Sequence, residues 1–295
     1  MSLHVFASFV TPFGTAANNR AETEGNVTTL QKLLWMGETH STVSAEAIRF
    51  ALRRRLAAAE KGGTNRTWDE DGRNNSWQDW TFKGWAGAKG ETFIDDDLLG
   101  YMTAEAAKEE GEAGSANVRR AVLEVTRAVS LTPWAGDVTF NAASPGATPS
   151  AQKKGSNPVP YGTEVHATRY QYGIALTPER LRDPARAAKA VEALCNLGTV
   201  AGNHGRFLFD FSPDAVVFRV TSDPAPRLLY CFGTDDNGRT VHAKQLAGRV
   251  ANEDIDPKEL IVAGVEVPGV TAAKGVKAAC AEAVKRITEK LGKKG

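Results

Sequence analysis

The segment "LHVFASFV", residues 3–10, restricts the fold more than any other stretch of the chain. It is β-branched and aromatic, the pattern of a strand covered on both faces. Such a strand needs sheet neighbours on either side and packing above and below. "EVHATRYQYGIAL" (164–176) is the strongest second strand. His166, Thr168, Tyr170 and Tyr172 share one of its faces, and Val165, Ala167, Arg169 and Gln171 the other. "RFLFDF" (206–211) and "AVVFRVTS" (215–222) read as further strands, with "PRLLYCFG" (226–233) a candidate for another.

Helical signals are interleaved with these strands. Ser44 is a good N-cap, because its hydroxyl can accept an amide bond left open by the first turn. Behind it Ala45, Ile48, Leu52 and Leu56 form one apolar stripe, and Glu46, Arg49 and Arg53 form a neighbouring one. Arg54 and Arg55 point elsewhere, to solvent or a subunit contact. Residues 183–198 read as a second helix closed by Gly198, and 271–292 as a terminal basic helix. Residues 93–114, "FIDDDLLGYMTAEAAKEEGEAG", read as a helix with an acidic face and a glycine-rich exit. Asp95, Asp96 and Asp97 are consecutive, so their side chains diverge by about 100° each and suit a helix N-terminus better than a metal ion.

Two polar stretches interrupt this order. Residues 61–92 are rich in Gly, Asn and Asp yet hold Trp68, Trp77, Trp80 and Trp85, so they predict an ordered insertion with a small core of its own. Residues 135–162 hold four prolines, small residues and the pair Lys153–Lys154, the composition of a long mobile loop. The polar run after the first strand, through residue 26, predicts no regular structure. Without the two insertions the order is β–α–(β)–β–α–β. The expected fold is α+β: a ferredoxin-like or RNA-recognition-motif domain with two large insertions.

Composition narrows the function. Hydrophobic residues make up 42% of 295, enough for a proper core, while the net charge of +1 excludes a protein that coats nucleic acid through bulk charge. Any nucleic-acid site must rest on local clusters. The three cysteines show no zinc spacing or disulfide framework. The N-terminus lacks the basic region and apolar run of a signal peptide, and nothing approaches a membrane span. A cytoplasmic protein with no membrane partner, metal or cofactor is expected.

The five histidines include no HxH or HxxxH pair, and no nucleophile elbow, Walker loop or GxGxxG is present. Arg49 and Arg53 fit a solvated helix flank, with Glu46 near Arg49, but the hydroxyl-rich "GETHSTVS" ahead of the helix favours phosphate. "AGNHGR" (201–206) fits a tight turn, and equally a turn that offers backbone amides and a guanidinium to a phosphate. His166 reads as a structural or RNA-stacking residue rather than a catalytic one.

Several motifs together resemble one family. "NNRAETEGN", "GETHSTVSAEAIRFALR", "FIDDDLLGYM", "AVSLTPW", "YGTEVHATRYQYGIALTPERL" and "AGNHGRFLFDFSP" occur in the order of the DevR-like backbone subunit of CRISPR type I Cascade complexes, subtype I-B or a neighbour. The resemblance implies a hand-like RAMP protein with an RNA-recognition-motif palm (1–60, 115–134 and 164–295), a finger insertion (61–114) and a thumb loop (135–163). It implies a non-catalytic subunit that binds guide crRNA, stacks head to tail with copies of itself and joins other Cascade subunits. The guide segments left accessible would pair with a target DNA strand.

The RNA contacts that the resemblance carries over are Asn19, Arg20, Ser44, Arg49, Arg53, Lys153, Lys154, His166, Asn203, His204 and Arg206. Glu46 stands where relatives often carry a neutral glutamine. The alternatives are a repeat-RNA-processing endoribonuclease of the same superfamily, for which "VAGVEVPGVTAAKG" is a poor version of the glycine-rich loop, and a regulator acting through protein contacts. The acidic 95–112 segment is expected to meet a basic surface on the next copy, such as the lysines of 274–294.

Overall fold

The computed structural model describes residues 2–87, 90–105, 115–147, 152 and 158–293. A central antiparallel sheet holds β1 (His4–Val10), β2 (Lys32–Trp35), β3 (Glu38–Val43), β4 (Leu123–Val125), β5 (Ala128–Ser130), β6 (Tyr170–Leu176), β7 (Ala215–Thr221) and β8 (Leu260–Ala263). Their order is β8-β7-β1-β6-β5-β3-β2, with β4 also paired to β6. β1 therefore lies between β6 and β7, antiparallel to both.

Both faces of β1 are covered, as its composition requires. Val5, Ala7 and Phe9 pack into a core with Ile48 and Leu52 of α1 (Ala45–Leu56), Val191 and Leu194 of α3 (Arg186–Cys195), and Ala283 and Ile287 of α5 (Val276–Gly292). Phe6 and Val10 face the other way, into a second core with Leu228, Phe232, Ile255 and Leu246 of α4 (Lys244–Ala251). Full burial of each large apolar side chain is worth about 1.5–3 kcal/mol. Ser8 sets the register. It is 1% exposed and donates to Leu228 O at 2.7 Å. A one-residue slip would turn that hydroxyl into the helix-side core, where an unsatisfied polar group costs about 1–3 kcal/mol.

Several predicted elements differ from those observed. The run after β1 is not irregular: Gly14–Ala16 pairs with His166–Thr168, and Asn19–Glu24 is a strand. The expected long strand at 164–176 is broken into His166–Thr168 and β6, with Val159–Glu164 ahead of them. The acidic helix is short, α2 (Ile94–Leu99), and all of its residues are buried. It ends at Gly100, where a φ of +68° and the close carbonyl of Arg119, into which a Cβ would run, exclude other residues without a shift. The chain then forms a strand, Tyr101–Glu105, paired with Ser115–Arg119.

The predicted loop at 135–163 is anchored by a hairpin, Val138–Ala143 with Val159–Glu164. Its second strand runs parallel to Val27–Leu30, which pairs with Asn19–Glu24 to complete a four-stranded sheet. "RFLFDF" is not a strand. Phe209 and Phe211 instead insert under the central sheet, where their ring centroids lie 5.4 and 6.2 Å from that of Tyr170. "PRLLYCFG" is not one either, because Arg227 and Tyr230 take positive φ of 55° and 53°.

The first insertion has the small aromatic core expected of it. Trp77 contacts Trp80 and Phe82, and Phe82 stacks on Tyr101 at 3.8 Å, while Trp80 remains 61% exposed. Among the described residues no helix is long and apolar enough to cross a membrane.

Candidate nucleic-acid interface

Ser44 caps α1 as its sequence position predicts, accepting a bond from Ala47 N at 3.2 Å. The stripe beside the apolar face turns toward α2. Arg53 is 9% exposed and donates through Nε to Asp95 Oδ2 at 3.1 Å. The Arg49 guanidinium donates to Leu99 O. Burial and then the nearby Arg53 charge lower the pKa of both Arg49 and Arg66. Asp95 is shared: its Oδ1 accepts Asn65 N at 2.8 Å and its Oδ2 accepts Arg66 N at 3.2 Å.

The other two aspartates are also internal, so these three do not form the expected outward acidic face; residues 106–114 of that segment lie outside the described residues. Asp97 is fully buried and accepts bonds from Arg119 at 2.7 Å, Arg186 at 2.9 Å, Arg182 N at 2.9 Å and Asp183 N at 3.1 Å. Asp96 accepts from Asn65 Nδ2 at 2.9 Å. Burial, then the charge of Asp95, raises its pKa to about 7. The aspartates therefore tie α1, α3 and the base of the insertion together. Oxygens committed in this way are not available to a neighbouring copy.

A second buried polar network joins distant parts of the chain. Asn18 Nδ2 donates to Thr42 O at 3.1 Å and to Tyr170 Oη at 2.8 Å. Ser41 Oγ lies 2.6 Å from Tyr170 Oη and 2.7 Å from His166 Nδ1. Thr132 Oγ1 lies 3.3 Å from His166 Nε2. His166 is 5% exposed, and burial pushes its pKa down to about 4. At neutral pH it is a neutral imidazole beneath the surface. There it supports the approach of three segments: Asn18 and the strand after it, Ser41 and the run into α1, and the strand at 166–168.

The "AGNHGR" turn meets the chain at Ala17, just ahead of the Asn19–Glu24 strand. Asn203 N donates to Ala17 O at 3.1 Å, and Gly202 takes φ +138° with its built Cβ 3.2 Å from Ala17 O. His204 Nδ1 accepts from Phe209 N at 3.4 Å. Arg206 is exposed, with its guanidinium carbon 5.1 Å from the ring centroid of Tyr161 on the hairpin at 135–163. Between turn and hairpin lies a cleft of ≈ 570 Å³, lined among others by Asn26, Ser144, Val159, Tyr161 and Arg206. Asn19 pairs with Leu30 in the strand that joins this hairpin. Lys32, at the start of β2, holds Glu164 at 2.7 Å and stands 4.0 Å over the ring of Trp134. Lys153 and Lys154 lie outside the described residues.

Of the sequence-predicted residues, Asn203 thus meets the chain just before the strand that holds Asn19 and Arg20, while Arg206 of the same turn lies over Tyr161 toward the other end of the four-stranded sheet. Ser44, Arg49 and Arg53 lie along α1, with the two arginines engaged by α2. Sequence reasoning missed Asn18, Ser41 and Tyr161. The first two fall inside the quoted stretches "NNRAETEGN" and "GETHSTVS" without being singled out there, and Tyr161 becomes relevant only once the hairpin brings it under Arg206.

Comparison with known proteins agrees with this architecture. The family model described as "CRISPR-associated negative auto-regulator DevR/Csa2" matches residues 9–194. A "CRISPR-associated protein Cas7/Cst2/DevR" of Myxococcus xanthus (strain DK1622) is 62% identical over 299 residues, covering 97% of this chain and 98% of that protein. Among solved structures, a chain of a "CRISPR RNA-guided surveillance complex" matches with a TM-score of 0.56 at 16% identity, covering 96% of this chain and 99% of that one. A chain of a pre-nicking "CRISPR RNA-guided surveillance complex" matches with a TM-score of 0.51 at 14% identity, covering 95% and 100%. At these identities the two structures establish a shared fold.

Proposed function

The chain belongs to the DevR/Csa2 family of CRISPR-associated proteins, and from that premise we propose that it is an RNA-binding backbone subunit of a CRISPR RNA-guided surveillance complex. One observation carries the reading. The Asn18–Ser41–His166–Tyr170 network holds the residue before the Asn19–Glu24 strand against the run into α1, and the 203–206 turn bonds to Ala17 just ahead of the same strand. Segments more than 180 residues apart in the chain thereby form one polar edge beside the hairpin at 135–163.

The palm is a ferredoxin-like domain. Counting β1, the β4/β5 pair, β6 and β7 as its four strands, the sheet order is 4-1-3-2 with α1 and α3 as the two crossovers, which supports that reading. Residues 61–114 are the fingers and 135–163 the thumb. The guide backbone runs along Asn19, Arg20, Ser44, Asn203, His204 and Arg206, with Lys153 and Lys154 on the thumb. Arg49 and Arg53 shape the local field; a phosphate must compete with Asp95 for Arg53. His166 positions this edge from below.

A guide must be gripped whatever its sequence, so contacts go to phosphate and shape, leaving base edges free to pair with a target DNA strand. Copies stack head to tail along the RNA, an interface that does not close and so makes an open helix with other Cascade subunits at its ends. The subunit works in the cytoplasm and does not itself cleave.

Purified protein tests this directly. RNA is expected to co-purify, and nuclease treatment to dissolve large assemblies in size-exclusion chromatography. Protein that carries no RNA, or assemblies that persist without it, would refute the scaffold reading. Metal-independent cleavage of repeat RNA would replace it with an endoribonuclease.

A further inference from the structure

The first insertion folds back over α1 and forms with it a half-open cavity of ≈ 280 Å³, lined by Phe50, Arg53, Arg54, Thr64, Arg66 and Trp68 among others. The residues come from two elements, α1 and the hairpin Arg66–Asp69/Asn74–Trp77. The volume falls just below the range of drug-sized sites, about 300–1,000 Å³, which suits a single flat ring with a small substituent. Its apolar wall is aromatic. Phe50 and Trp68 meet edge to face, with centroids 6.1 Å apart and planes at 77°, so at least one ring face is left uncovered by the other. Phe50 is 38% exposed, on a helix whose apolar stripe is otherwise buried.

The rim carries an anion already. Glu70 Oε2 accepts a bond from Trp68 Nε1 at 3.2 Å, and Glu70 Oε1 lies 3.7 Å from Arg54 Nη2. The carboxylate thus marks a place where negative charge is held by an indole N–H and a guanidinium. Both side chains of the Arg54–Glu70 pair are about two-thirds exposed, 66% and 70%, so the pair is weak and displaceable. Arg66 adds a further cation. Its guanidinium carbon lies 5.3 Å from the Trp77 ring, and burial together with the adjacent Arg53 charge weighs against it. Three arginines thus line the cavity, with Arg53 held by Asp95 and Arg54 by Glu70.

We propose that this cavity is a nucleotide-binding site, in which a base stacks on the ring face that the edge-to-face Phe50–Trp68 pair leaves uncovered and its phosphate displaces the Glu70 carboxylate from Arg54. The site shares no lining residue with the cleft at Arg206, and one residue, Arg53, with the candidate guide contacts on α1. That the nucleotide belongs to a single-stranded RNA rests on the RNA-binding reading above; a free mononucleotide offers the same chemistry. A site of this kind on the finger insertion would give the subunit a second grip on an unpaired nucleotide, indifferent to sequence because every base has a face to stack.

Tryptophan fluorescence quenching and calorimetry on the full-length, nuclease-treated protein decide it, with AMP, UMP and a single-stranded RNA oligonucleotide as probes. Trp68→Ala is expected to weaken binding about tenfold, within the range for loss of one stacked base. Arg54→Gln and Glu70→Gln are exposed changes that leave the fold intact, and they are expected to act in opposite directions. Arg54→Gln weakens binding and Glu70→Gln tightens it, each by about three- to tenfold. These shifts with the oligonucleotide alone identify a nucleotide within a chain; the same shifts with AMP or UMP identify a free one. If wild type binds the oligonucleotide but both exposed variants match it within twofold, and no mononucleotide binds, the cavity is not a nucleotide site while the RNA-binding reading stands. If wild type binds none of the probes, both fail.

Discussion

Replacing Asp96 by Asn is expected to make the protein more stable, and increasingly so as pH rises. Asp96 is 4% exposed, and its charged form has one direct partner, the Asn65 amide, while Asp95 beside it carries the Arg53 ion pair. Burial and the Asp95 charge hold its pKa at about 7, against an ordinary carboxylate value near 3.9; Arg53 and the Asn65 bond act the other way, and Asp79 adds to the rise. A carboxyl whose folded pKa is raised binds more protons folded than unfolded between those two values. Stability is therefore lost as pH rises from about 4 to about 7, and the loss is complete above 7.

Asn keeps an acceptor for Asn65 but cannot ionise. Its advantage over Asp is therefore expected to widen by about 2–3 kcal/mol between pH 5 and pH 8. His166 titrates in the opposite sense. Its pKa is depressed to about 4, so it costs stability as pH falls from about 6.5 through 4. Because both proteins carry His166, the variant-minus-wild-type difference removes it. Urea unfolding of both proteins at pH 5, 6, 7 and 8 gives that difference directly. A constant difference across the range, or an Asn variant less stable than wild type at pH 8, would show that Asp96 is not held as an uncharged acid.

The remaining predictions concern the fold and its edge. Asp97→Ala leaves the buried Arg186 and the half-covered Arg119 without their shared carboxylate; it should destabilise by about 3–5 kcal/mol, read as a drop of about 10 °C in thermal unfolding. Gly100→Ala drives a Cβ into Arg119 O at a positive φ, and should destabilise by more than about 1 kcal/mol, read as a lower urea midpoint. Arg206→Ala should weaken binding of all single-stranded RNA sequences about equally and reduce the salt slope by about 0.7, checked by titration at several salt concentrations. A sequence-selective loss would mean that Arg206 reads a base.

The period-two and period-3.6 patterns located β1, α1, α3, β7 and the terminal helix, because those elements bury a face and burial leaves its mark on residue type. Even the two-sided burial of β1 was legible, since only apolar residues fit between two layers. Family motifs pointed to the strand at Asn19 and the turn at 203–206 as candidate contacts. Turn chemistry in the other places was less legible. "PRLLYCFG" has the residues of a strand, yet positive φ at Arg227 and Tyr230 sends the chain around a corner to close the second core.

Tertiary structure alone decided which charges face outward. A local pattern gives three aspartates and three arginines the look of solvated or phosphate-binding surface, because charge is usually exposed. In this chain Asp95 and Asp97 meet Arg53, Arg119 and Arg186 from elements remote in sequence, and pairing makes their burial tolerable. Arg54, which the same stretch of helix presents beside them, stays at the surface, where it faces Glu70 across the mouth of the aromatic cavity. Sequence can count the cations; only the packing of the insertion against α1 determines which of them are left for a ligand.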